Sequence, residues 1–211
     1  MRILITSGAT REPIDAVRFL SNVSTGRTGA RIADALAACG HTVTLLRGQA
    51  SARSTDPAIA AERFDSTANL QTQLHRLLGT GDFDAVIHCA AVSDYQPAEK
   101  HDGKFSSYAP QLTLHLVPTP KLLPGLKHAA PCPLKVVGFK LTAGADAPER
   151  AANVAKLFAL GTVDAVIHND MDDLGKGDAR PFTAWRAGDP APVALPGLDA
   201  LNTWLHAFIT A

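Results

Sequence analysis

TSGATREPIDAVRFLSNVSTGRTG, residues 6–29, is the stretch whose reading decides the fold. It follows the apolar run MRILI (1–5) and leads into the helical pattern ARIADALAACG (30–40). A strand, a glycine turn and a helix open a dinucleotide-binding fold. In that fingerprint the glycines fall within about six residues, as G-x-G-x-x-G. Here Gly8 stands far from Gly26 and Gly29, and a polar segment with Arg11, Arg18 and Asn22 lies between. The stretch is either a distended nicotinamide fingerprint or a loop built for another ligand.

Outward from it, strand-like and helical runs alternate. RILITS (2–7) reads as a strand, and the helix from about 28 to 39 closes at Gly40, a natural C-cap. HTVTLLRG (41–48) follows as a strand, and residues 64–81 as a strand end plus a helix with Leu70, Leu74, Leu77 and Leu78 on one face. FDAVIHCAAV (83–92) has the continuous apolar character of a strand covered on both faces. QLTLHLV (111–117) alternates like an edge strand, and TPKLLPGL predicts a short helix with Pro120 near its first turn. LKVVGFKL (134–141), the helix 148–161 and the strand VDAVIHND (163–170) continue the series. After Asp173 the pattern changes to a turn, a small antiparallel hairpin from PFTAWRAG and PVALPG, and a closing helix. The expected fold is α/β: a Rossmann-like, mostly parallel sheet with helices on both faces, plus that hairpin. One domain spans 1–211, with 93–110 as an irregular flap over the site.

Composition narrows the function. The formal net charge is zero and 46% of the 211 residues are hydrophobic, so neither nucleic acid nor a membrane is expected as partner. No apolar run approaches the roughly 20 residues that span a bilayer, and no signal peptide is visible, so the expected location is the cytoplasm. Cys39, Cys89 and Cys132 lack C-x-x-C spacing and read as incidental thiols.

Five clusters carry chemistry. Ser24, Gly26 and Gly29 open a helix whose free N–H groups and dipole favour an anion; Asn22 adds a donor, and Arg18 and Arg27 add charge. Ser24 could equally be a helix cap. Ala90 and Ala91, at a strand end, allow close backbone approach, and Asp94 offers a carboxylate to a polar group or hydrated cation. Lys104, in GKFSS of the flap, is either solvated or a mobile charge that closes over a triphosphate. Gly138-Phe139-Lys140 and His168-Asn169-Asp170 end two further strands. Against the nicotinamide reading stand the glycine spacing, the absence of an acidic residue after Leu45-Leu46, and the absence of a Tyr-x-x-x-Lys pair. Arg47 at that position keeps an NADP-dependent reductase as an alternative, and a non-enzymatic nucleotide-binding relative is another.

The segments TSGATREPIDAVRFLSNVSTGRTG, AAVSDY, GKFSS, TPKLL, VGFKL and HND occur in the order seen in phosphopantothenoylcysteine synthetase, or phosphopantothenate–cysteine ligase, and the chain resembles that family from Arg2 to about Asp170. KFSS and GFKL, and the start of residue 1 directly in the first strand, resemble its free-standing branch. The resemblance implies ligation of cysteine to 4′-phosphopantothenate through an acyl-nucleotide made with CTP or ATP and Mg²⁺, without flavin, in a homodimer. It implies catalytic roles for Asn22, in the attack of cysteine, and Lys104, in forming the acyl-nucleotide. It implies binding roles for Gly8, Ser24, Gly26, Gly29, Ala90, Ala91 and Asp94, and for Thr119, Pro120, Lys121, Leu122, Phe139, Lys156 and Asn169. Lys156 resembles the first of two helix lysines; Leu160 or Gly161 stands where the second falls.

Overall fold

Strand β1 (Arg2–Ser7) buries every residue from Ile3 to Ser7, which a strand can do only at the centre of a covered sheet. Along the chain follow β2 (Arg11–Pro13), β3 (Phe19–Ser21), α1 (Arg27–Ala38), β4 (Thr42–Gly48), β5 (Ala60–Phe64), α2 (Thr67–Leu78), β6 (Ala85–His88), β7 (Tyr95–Pro97) and β8 (Leu116–Pro118). A 3₁₀ turn (Leu123–Gly125) enters α3 (Leu126–Ala129), then β9 (Lys135–Thr142), α4 (Ala147–Phe158) and β10 (Ala165–Asp170). The 3₁₀ segment Met171–Ala179, β11 (Phe182–Arg186), β12 (Val193–Leu195) and α5 (Leu198–Thr210) complete it. This computed structural model describes residues 1–108, 110–189 and 191–211; Ala109, part of the expected flap, and Pro190 lie outside the described residues.

The main sheet has eight strands in the order β12-β11-β10-β9-β6-β1-β4-β5. From β10 to β5 all neighbours are parallel; β11 and β12 are antiparallel. Strand alternation sorts the core into two layers. Ile3, Ile5, Val43, Leu45 and Ile87 face α1 and α5, while Leu4, Leu46, Val86, Val136 and Val166 face α2, α3 and α4. β1 continues to β4 on one side, and β6 to β9 on the other. Such a reversal is the topological switch point, where open α/β sheets take their ligands.

The expected α/β architecture, helix boundaries and C-terminal hairpin are all present, and four local expectations change. The strand expected over 83–92 pairs continuously only over Ala85–His88, is interrupted where the Ala90 N–H turns to the Thr6 hydroxyl at 3.2 Å, and pairs once more as an isolated bridge of Ala91 with Ala9. Of 111–117 only the end pairs, with β7 in a separate ribbon, and residues 111–118 are all exposed. Pro124, not Pro120, stands in the first turn of the helix that follows. The β2–β3 hairpin lies inside the quoted stretch; its strands of three residues are too short for any periodicity to show. The C-terminal hairpin also joins the main sheet through β11 and β10.

Candidate functional site

The glycines of the opening stretch are spaced by packing. Gly8 (φ 81°) and Gly26 (φ 72°) occupy the left-handed region. A Cβ on Gly8 would fall 1.6 Å from Ser51 Oγ, and one on Gly26 2.7 Å from Ser51 Cβ. On Gly29 it would fall 2.4 Å from Ser7 Cβ, so this glycine lets α1 lie directly on β1. Gly26 is also the N-cap of α1 and has no side chain to cap it; the Thr25 hydroxyl accepts from Arg27 N–H at 3.4 Å. Ser24 therefore is not the cap. The first turn of α1 carries no acidic residue. Arg27 opens it, and the Arg180 guanidinium donates to Thr28 Oγ1 at 2.7 Å. Positive charge gathers where the helix dipole is already positive, an arrangement suited to an anion. Ser7 Oγ and Arg180 Nε are buried there without a protein partner.

A cleft of about 350 Å³ opens beside these turns. It is lined by Asn22, Ser24 and Thr25 of the loop, by Ala9 and Ser51, and by Arg11 and Phe19 of the hairpin, the guanidinium 4.3 Å over the ring. The Asn22 amide donates to Val92 O at 3.0 Å, tying the loop to the end of β6. Beneath it Ala91 N–H donates to Gly8 O at 2.7 Å and Thr10 N–H to Ala91 O at 3.2 Å. Backbone thus bridges the switch point just beyond β1 and β6. Buried Thr10 fixes the next residue, its hydroxyl accepting from Ser93 N–H at 3.0 Å.

The strand-end segment and the segment 119–122 form one unit. Thr119 donates its hydroxyl to Ser93 O and its N–H to Asp94 O at 3.0 Å. Exposed Asp94 and Lys121 form an ion pair. Pro120 is exposed between them, and Leu122 is buried in the α2 and α3 layer. Gly138 permits this proximity, because a Cβ there would lie 2.9 Å from Leu123 Cδ2.

The flap docks on the tip between β2 and β3. His101 N–H donates to Ile14 O at 2.9 Å, Ala16 N–H to Gly103 O at 2.8 Å, and Phe105 N–H to Asp15 Oδ2 at 3.1 Å. Lys104, between two anchored residues, is exposed. Burial alone would raise the Asp15 carboxyl. The amides of Val17, Phe105 and Arg18 and the Arg18 guanidinium outweigh it and hold the group well below the usual carboxylate range.

The remaining strand ends contribute less. Phe139 is half-buried against the α1 and α5 layer, and Asn169 is buried one residue past the position paired with Lys140. Its neighbours serve structure. The Thr142 hydroxyl donates to Asp170 at 2.6 Å, so it can only accept, at 2.8 Å, from His168 Nε2. The Thr142 hydroxyl and the amides of Asp172 and Gly144 hold Asp170 well below the usual range, against its burial. Lys156 is in the last turn of α4, which leads down to the start of β10, and so stands apart from the strand-end cluster. Burial pushes the Cys89 thiol up to about 12, which leaves it protonated and unreactive. Among the described residues no three His, Cys, Asp or Glu side chains converge on a possible metal position. No helix among them is long and apolar enough to cross a membrane. Asp15, Thr10, Ser51 and Arg180 were not singled out by sequence, where each is an ordinary polar residue.

Residues 1–184 match the family model described as DNA/pantothenate metabolism flavoprotein C-terminal domain. The coenzyme A biosynthesis bifunctional protein CoaBC of Thermococcus kodakarensis is 35% identical over 175 residues, 82% of this chain and 42% of that protein. CoaBC of Escherichia coli K12 is 32% identical over 197 residues, 90% of this chain and 47% of that protein. The chain spans about half the length of the curated relatives it matches. The crystal structure of a DNA/pantothenate metabolism flavoprotein from Streptococcus pneumoniae superposes with a TM-score of 0.89, at 24% identity, over 100% of this chain and 98% of that one. That likeness is one of fold.

Proposed function

Because the chain belongs to the DNA/pantothenate metabolism flavoprotein C-terminal domain family, we propose that it ligates L-cysteine to 4′-phosphopantothenate in coenzyme A biosynthesis. A nucleoside triphosphate, CTP or ATP, drives the reaction. The phosphopantothenate carboxylate attacks the α-phosphorus and pyrophosphate leaves. The cysteine amine then attacks the acyl carbon, the nucleoside monophosphate leaves, and the amine gives its proton to solvent.

The observation that carries this reading is one cleft lined by Asn22, Ser24 and Thr25 where the chain enters α1, whose first turn holds no acidic residue, and by Arg11 and Phe19 of the hairpin on whose tip the Lys104 flap docks. Negative charge grows on the phosphates in the first step, where Lys104 and the amides of α1 act as fixed and mobile positive poles. The second step needs the acyl carbon held still for a neutral amine, and the Asn22 amide, already anchored on Val92 O, suits that task. The Ala90–Asp94 and Thr119–Leu122 unit, with Phe139 and Asn169, would receive the nucleotide, and Gly8, Ser24, Gly26 and Gly29 the phosphate groups. Mg²⁺ would arrive with the triphosphate, held chiefly by its oxygens, with Asp94 as the nearby carboxylate. A homodimer in the cytoplasm completes the reading.

A pyrophosphate-release assay with phosphopantothenate, cysteine and either CTP or ATP tests it. Release with one or both nucleotides is expected. Lys104→Gln should abolish release, and Asn22→Asp should release pyrophosphate yet form no amide. Amide formation by either variant at the parental rate would remove that residue from its role, and no release by the parent chain would remove the function.

A further inference from the structure

Asp15 has the burial of a core residue and the position of a loop residue. It is 3% exposed, in the tight connection between β2 and β3. Its Oδ1 accepts from the N–H of Val17 at 2.9 Å and of Arg18 at 2.7 Å. These bonds close an aspartate turn, which would form as well on an open surface. The Oδ2 bonds reach further. One comes from the Arg18 guanidinium at 2.5 Å, the other from the N–H of Phe105 at 3.1 Å, 90 positions along the chain. An ionised carboxylate has about four acceptor positions, and all are taken.

Among the described residues three bonds join tip and flap, and the Phe105 bond is the one made by a side chain. The other two are the backbone bonds from Ala16 to Gly103 and from His101 to Ile14. Gly103 and Phe105 are the two chain neighbours of Lys104, so the lysine is held from both sides while its own side chain stays exposed. Arg18, on the other lobe of the same oxygen, lies four residues before Asn22.

We propose that Asp15 is a positioning residue: its carboxylate clasps the flap to the β2–β3 tip and so fixes Lys104 and the Arg18 guanidinium at a set separation on the hairpin whose Arg11 and Phe19 line the cleft. Its catalytic consequence rests on the role given above to Lys104; the clasp itself does not. The Asp15→Asn variant separates the two lobes. Its Oδ1 still accepts from Val17 and Arg18, but an NH₂ group in place of Oδ2 turns a donor toward two donors. The turn survives, and the flap and Arg18 are released. Since a bond to a charged acceptor shifts an opening equilibrium by roughly ten- to hundred-fold, release should be measurable without substrate.

Limited trypsin digestion of the full chain reads the flap, which carries Lys100 and Lys104. We expect Asp15→Asn to be cut there about ten-fold faster than the parent with an almost unchanged Tm. In the pyrophosphate assay kcat should fall by a similar factor while KM for cysteine holds. Phe105→Pro removes the flap-side N–H of this bond together with the ring stacked on His101, leaves Asp15 and its turn in place, and should open the flap likewise; because trypsin does not cut a Lys–Pro bond, its opening is read at Lys100 alone. If Asp15→Asn proves too unstable to purify, Phe105→Pro decides alone. Cleavage at the parental rate in either folded variant overturns the clasp, as does Asp15→Asn cleavage spread along the chain with a collapsed Tm. If flap cleavage rises but the parent releases no pyrophosphate, the clasp stands and the ligase reading falls.

Discussion

His88 ends β6 in the interior, its Nδ1 2.9 Å from Thr6 Oγ1, and burial lowers its pKa from 6.5 to about 4. The unfolded chain takes up the proton below about pH 6.5, whereas the folded chain resists until about pH 4. Stability is therefore full above pH 6.5 and drains as pH falls through that window, by up to about 3 kcal/mol from this residue. Urea midpoints measured at pH 7 and pH 4.5 should differ markedly in the parent and much less in His88→Gln. Asn22 and Lys104 stand out as candidates in the sequence, because each sits in an unusual local motif. Asp15 and Thr10 do not. Their meaning is a contact with Phe105 or Ser93, some 80 to 90 positions away, and no local pattern encodes that. Lys156 shows the reverse: its local motif was readable, but its place at the lower end of α4 depends on the crossover geometry.

At the scale of elements, the contact of α1 with β1 rests on the bare backbone of Gly29. Gly29→Ala should cost about 1–3 kcal/mol, the usual range for overpacking, read as a lower denaturation midpoint. Because the obstacle is Ser7 Cβ, adding Ser7→Gly should recover most of the loss, which additive effects would not do. The long elements were readable from periodicity. α2 and α4 even announce their starts, with Ser66 and Asp146 accepting from the N–H three residues on. α1 lacks that signal, and the spacing of Gly8, Gly26 and Gly29 that looks wrong for a nicotinamide site is the spacing its packing requires. The β2–β3 hairpin and β7 escaped notice, and β8 was expected only as the end of a longer strand over 111–117, because these strands are three residues long and mostly unburied.

In the whole molecule, α5 closes one side of the core. Leu198, Leu201, Leu205 and Ile209 are at most 5% exposed, although the family match ends at residue 184. At roughly 1.5–3 kcal/mol each, these four side chains rival the entire net stability of about 5–15 kcal/mol. A chain cut after residue 197 should lose its cooperative thermal transition in circular dichroism and bind a hydrophobic dye; a sharp transition near the parental Tm would show α5 to be dispensable.

The order of the main sheet has one more consequence, for how two copies could meet. One margin is β12, three residues long; the other is β5, which carries Glu62 and Arg63. Short and charged margins make poor templates for a second chain's strand. β12 exposes one large apolar residue, Val193, whereas Val17, Phe19, Val23, Tyr95 and Leu116 are exposed on the loops and ribbons above the strand ends. Any twofold partner would thus settle on the roof of the molecule and not beside its sheet. Assembly would then be felt first by the hairpin, the flap and the cleft, and protein concentration would act on turnover before it acted on the fold.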